Sequence, residues 1–132
     1  MVQQAYLKLK KQLSLWLPVL FWMGLIYYLS AQSGLKIGEG AVDFWTRKPA
    51  HVGEYAVLFL LLFRALRGGF RLSVRQLYLS AGVFTLLYAA SDEIHQIFVP
   101  LREGRVADLG FDLLGILVGA LAVRYFFNRR ES

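Results

Sequence analysis

The chain has 132 residues, 57% of them hydrophobic and 15% aromatic, a formal charge of +6 and a mean hydropathy of +0.47. That is too apolar for an ordinary soluble domain and too short for more than one domain, so a small integral membrane protein is expected. Zero cysteines exclude disulfides, thiolate metal centres and thiol catalysis, which leaves oxygen and imidazole to carry any chemistry.

Four apolar segments, 15–31, 50–66, 77–99 and 106–127, are long enough to cross a hydrocarbon core of about 30 Å as helices. The fold class predicted is therefore all-α: a polytopic, four-helix transmembrane bundle forming one domain. The first segment follows Lys8, Lys10 and Lys11, and Ala31-Gln32-Ser33 resembles a signal cleavage site. Its length and its bulky Trp16, Trp22, Tyr27 and Tyr28 read instead as a retained span. The connection QSGLKIGEGAVDFWTRK reads as an anchored loop, or else a short surface helix or lid, with Phe44 and Trp45 suited to the membrane interface. The second span opens with Lys48, His51, Glu54 and Tyr55 and closes at Gly68-Gly69, a helix stop followed by a short turn. The third carries SDEIHQIF, Ser91 to Phe98. The fourth begins with Asp108 and Asp112, in line with Gly115 and Gly119, whose small-xxx-small spacing reads as close packing within the chain.

Charge sets the orientation. Ten basic residues (Lys8, Lys10, Lys11, Arg64, Arg67, Arg71, Arg75, Arg124, Arg129, Arg130) flank one side of the spans and five (Lys36, Arg47, Lys48, Arg102, Arg105) the other. The positive-inside rule places both termini in the cytoplasm of a multi-pass protein of the cell membrane. Eight of the nine acidic residues fall on the opposite, outer side, only Glu131 being inside. The basic residues flank spans and form no domain of their own, so nucleic acid is excluded as a partner.

At about 1.5 Å per residue, Asp92 lies roughly 22 Å along the third span, close to the depth of His51 and Glu54. Lys48, His51, Glu54 and Tyr55 share one helical face; Tyr88, Asp92, His95 and Gln96 share another; Asp108 and Asp112 form a stripe with the glycines. Glu93 lies about 100° off the Asp92 face, toward a different helix or the head groups. Helix adhesion or a salt-bridge network with Lys48, Arg102 and Arg105 accounts for any one of these residues. It does not account for so many ionisable groups at one depth, where each costs about 2 kcal/mol or more in lipid.

Three stretches carry a family resemblance: KPAHVGEYA at Lys48 to Ala56, SDEIHQIFVP at Ser91 to Pro100, and REGRVADLGFDLLG at Arg102 to Gly115. Together they resemble the VanZ-like membrane protein family over nearly the whole chain. Leu101 departs from the pattern, standing where the family usually has glycine in a Pro-Gly-Arg turn. The resemblance implies a link to glycopeptide resistance of the teicoplanin type and an action on lipid head groups by hydrolysis or exchange. It carries over to Lys48, His51, Glu54, Asp92, Glu93, Gln96, Arg102, Asp108 and Asp112.

In chemical terms, Lys48, Arg102 and Arg105, with Tyr55 alongside, would hold a lipid-linked phosphate or diphosphate at head-group level. His51 or Glu54 would act as general base toward water or an alcohol, with His95 a second candidate and Asp92, Glu93 and Gln96 completing the catalytic set. Asp92, Asp108 and Asp112 offer hard oxygen ligands to Mg²⁺, Mn²⁺ or Ca²⁺, although their spacing matches no dedicated metal motif. The partner is then a membrane lipid or lipid-linked envelope precursor. Two other classes fit the same residues: binding of a lipid or amphiphile without turnover, and a small ion-coupled transporter, for which so short a chain would need to oligomerise.

Overall fold

The computed structural model describes residues 1–32, 41–102 and 104–129. The connection from Ser33 to Gly40, with Lys36 and Glu39, lies outside the described residues, as do Glu103, Arg130, Glu131 and the side chains of Asp43 and Phe44. Four helices follow one another: α1 (Val2–Ala31), α2 (Ala41–Gly69), α3 (Val74–Ile97) and α4 (Asp108–Asn128), with no strand among the described residues. Each of the four apolar segments falls on one of them.

Three helices, α1, α2 and α4, are long and apolar enough to cross a membrane. α3 has comparable length, 24 residues, but dilutes its hydropathy with Asp92, Glu93, His95 and Gln96. Those groups turn inward, whereas Leu79, Val83, Phe84, Leu87, Ile94 and Ile97 point outward and are exposed. An apolar outer face with polar groups inside is what a bilayer requires of such a helix. The chain is a membrane protein built as a four-helix bundle.

Helix ends follow local chemistry. α2 starts at Ala41, so part of the connection read from the sequence as loop is helical. The reason is compositional: AVDFWTRK contains no glycine or proline, and the glycines of that connection (34, 38 and 40) all precede it. α3 opens with a capping box, Ser73 Oγ accepting from the Gln76 backbone N–H while the Gln76 side chain accepts from the Ser73 N–H. α1, at 30 residues and about 45 Å, exceeds a bilayer core, so its first turns with Lys8, Lys10 and Lys11 extend beyond the apolar span.

α2 is central. Its Leu58, Phe59, Leu62, Phe63 and Leu66 form the core with Leu15 and Val19 of α1, Leu77 and Ala81 of α3 and Val123 of α4. α4 lies closest to it, along Gly115 and Gly119: a methyl group on Gly115 would sit 2.6 Å from the Val52 carbonyl oxygen. The glycine spacing thus serves packing within the chain. α1 is held differently. Tyr88 Oη donates to the Met23 carbonyl, the Arg64 guanidinium reaches the Ser14 carbonyl at 3.4 Å, and Trp22 Nε1 donates to the Glu54 carbonyl at 2.9 Å. Pro18 has no N–H to offer Ser14, which frees that carbonyl for arginine.

Between α3 and α4 the chain turns at Leu101, whose φ of 64° is left-handed. A branched side chain is strained there, and Leu101 is largely exposed, so little packing offsets the cost. Leu101→Gly should therefore raise stability by about 1 kcal/mol, read as a higher unfolding midpoint in detergent. A lower midpoint would mean that the leucine contributes more than its backbone costs.

Candidate functional site

The core is apolar through one half of the bundle and polar at the other end. There α2, α3 and α4 bury Asp92, Glu93, Gln96, Asp108 and Asp112, with His51 and Glu54 part-buried beside them. Helical spacing explains the convergence. Arg47, His51 and Glu54 recur one turn apart on α2, as do Asp92 and Gln96 on α3 and Asp108 and Asp112 on α4.

Each acid has a distinct setting. Asp108 pairs with the Lys48 ammonium, which also lies 5.2 Å from the centre of the Phe111 ring. Asp92 is 4% exposed; its Oδ2 accepts from Tyr55 Oη at 3.1 Å and Gln96 Nε2 at 3.0 Å, while its Oδ1 has no hydrogen-bond partner. Asp112 is fully buried, with its Oδ1 3.3 Å from His51 Nδ1, close enough for an ion pair with a protonated imidazole. Glu93, 8% exposed, has neither carboxylate oxygen hydrogen-bonded. Buried polar atoms left this way are uncommon, because each forfeits its hydration without replacement.

Beside these groups opens a cavity of about 240 Å³. Arg47, His51, Glu54, Asp92, Gln96 and Arg102 supply its polar wall, and Ile26, Leu29 and Ala50 supply apolar surface. Arg102 does more than face the cavity: its Nε and Nη2 donate to the carbonyls of Gln32 and Leu29, at 3.1 and 2.9 Å. A guanidinium there shares the Leu29 carbonyl with the Gln32 backbone N–H, adds a donor to the Gln32 carbonyl and complements the helix dipole.

The VanZ/LLP1 family matches residues 15–128, most of the chain. This protein belongs to the VanZ/LLP1 family. No curated protein and no solved structure matches the chain.

In this VanZ-family bundle the residues singled out from the sequence divide into groups. His51, Glu54, Asp92, Gln96 and Arg102 meet at the cavity, with Tyr55 buried behind them and bonded to Asp92. Lys48 sits on Asp108, and Arg105 is exposed in the loop before α4. His95 turns toward α1, its ring stacked on Tyr27 with centroids 4.4 Å apart. Of the carboxylates grouped as oxygen ligands, Asp92 is held by Tyr55 and Gln96 and Asp108 by Lys48; Asp112 lies instead against His51 and Glu93.

Three lining residues escaped the sequence reading: Ser30, Thr46 and Arg47. Ser30 is a buried hydroxyl without a hydrogen-bond partner in an otherwise apolar span, where a lone serine carries no signal. Thr46 and Arg47 were legible once α2 is extended back to Ala41, since Arg47 then precedes His51 by one turn on the same face.

Proposed function

We propose that this VanZ-family protein acts on the phosphate of a lipid or lipid-linked envelope precursor, by hydrolysis or exchange, at the extracytoplasmic face of the cell membrane. The observation that carries the reading is the composition of the cavity wall: Arg47 and Arg102 line it together with Glu54, Asp92 and His51, with apolar surface alongside. Arginine suits the two-oxygen face of a phosphate, and the apolar wall suits the first carbons of an acyl or prenyl chain. His51 or Glu54 takes the proton from the attacking water or alcohol, and Asp92, poised by Tyr55 and Gln96, orients it. Teicoplanin-type resistance follows if the modified lipid alters what a glycopeptide meets at the membrane.

The second reading, binding without turnover, is favoured by one observation: Arg102 already donates to two backbone carbonyls. A transport pathway within one chain is disfavoured by Leu58, Phe59, Leu62 and Phe63, which fill the middle of the bundle beyond the polar end. The outward placement of the cavity rests on the ten-to-five division of basic residues.

The experiment is turnover of head-group-labelled lipid extracts by the purified protein, with reporter fusions after Gly104 and Ser132 fixing the side. Released or exchanged head group, with Gly104 outside and Ser132 inside, supports the proposal. Saturable binding with no product would select the second reading.

A further inference from the structure

We infer that His51, Glu93 and Asp112 form a binding site for one divalent transition cation, of the Zn²⁺ or Mn²⁺ class, that ties α2, α3 and α4 together. The inference deepens the lipid head-group reading and rests on it only for the purpose of the site, not for its existence.

One potential ligand atom from each of the three residues lies within 4.8 Å of the others. Ligands about 2.1 Å from a tetrahedral metal lie about 3.4 Å apart, so the widest separation in the cluster must close by about 1.4 Å. Proximity alone would be weak grounds, and a second observation points to a ligand. Both oxygens of Glu93 and Oδ2 of Asp112 are buried without a hydrogen-bond partner, and Asp112 Oδ1 and His51 Nδ1 have only each other, at 3.3 Å. Asp112 is 0% and Glu93 8% exposed, so no bulk water is at hand to serve them.

Charge leads to the same place. Two carboxylates beside one imidazole carry up to two negative charges, of which a protonated His51 would offset one, and the Lys48 ammonium sits on Asp108. A divalent cation cancels both charges through one ligand atom from each residue. The donor set is one imidazole nitrogen and two carboxylates with no sulfur, which favours zinc or manganese over calcium or magnesium, whose shells are all oxygen. His51 also lines the cavity while Glu93 and Asp112 do not, so a cation on its Nδ1 would stand behind the cavity wall, and with His51 as its ligand Glu54 would be left as the general base.

The test uses the full chain purified in detergent with no lipid substrate present. Metal content is measured after exposure to Zn²⁺ or Mn²⁺ and desalting, and thermal unfolding is followed with each cation and with EDTA. The wild type should keep about one equivalent and unfold at a higher temperature with cation than with EDTA. Asp112→Asn, Glu93→Gln and His51→Ala should each weaken binding at least about 100-fold, since losing a ligand costs no less than losing its supporting shell. Asp108→Asn, outside the cluster, should still bind. Absence of a stoichiometric cation in the wild type, or retention by both Asp112→Asn and Glu93→Gln, overturns the inference, and the wild-type measurement stands even if a variant fails to fold. Lipid turnover without a retained cation would sink this inference alone; a bound cation without turnover would sink only the head-group reading.

Discussion

Gly115→Ala should cost the bundle about 3 kcal/mol and Gly115→Val more. A Cβ at position 115 lies 2.6 Å from the Val52 carbonyl oxygen, 3.1 Å from Tyr55 Cβ and 3.2 Å from the Ala56 nitrogen. Two of those neighbours are backbone atoms of α2, which cannot swing aside as the end of a flexible side chain can. The helices must therefore separate, and the core and the polar cluster separate with them. Asp112 sits one turn before Gly115, so its contact with His51 should loosen together with the packing. Gly110→Ala is the control: nothing lies within 4 Å of its Cβ position, and alanine in a helix gains up to about 1 kcal/mol over glycine. Thermal unfolding in detergent compares the two, and similar midpoints for Gly115→Ala and Gly110→Ala would contradict the close approach of α2 and α4.

Asp92→Asn should separate function from folding. The amide keeps the carboxylate's shape and one oxygen to accept from Tyr55 and Gln96, so the unfolding midpoint should stay within about 1 kcal/mol of the wild type. Its charge is gone from a residue that lines the cavity and whose Oδ1 has no hydrogen-bond partner. If Asp92 orients the attacking group as proposed, head-group turnover should fall about 100-fold or more. Loss of folding in parallel with activity would instead make Asp92 a structural acceptor for Tyr55 and Gln96.

How much of this was legible in the sequence depended on whether one helix sufficed to define a feature. The four helices were, because hydropathy and length act within a single segment. The common level of the polar groups along those helices was too, since rise per residue is fixed. What a face touches was not, because that is decided by which helix lies opposite. Glu93 shows the limit: its angle of about 100° from Asp92 holds, but only packing turns that angle toward His51 and Asp112. His95 shares the sequence face of Asp92 yet meets Tyr27 of α1. Arg102 reads as a phosphate ligand and is also a cap on the end of α1, a role that needs the carbonyls of Leu29 and Gln32 to be in place first. The turn at Leu101 was visible as a missing glycine, and its φ of 64° is the physical content of that departure.

The way α1 is held has a consequence for how the chain can change over generations. Ser14, Met23, Leu29 and Gln32 receive Arg64, Tyr88 and Arg102 through their carbonyls, groups that every amino acid possesses. Substituting those four residues leaves the acceptors where they are, provided the helix persists and Pro18 continues to free the Ser14 carbonyl. The donors have no such freedom, because each is a particular side chain. Drift should therefore be tolerated at the four acceptor positions of α1 and resisted at Arg64, Tyr88 and Arg102, so that these contacts of the first helix are inherited through residues that lie outside it.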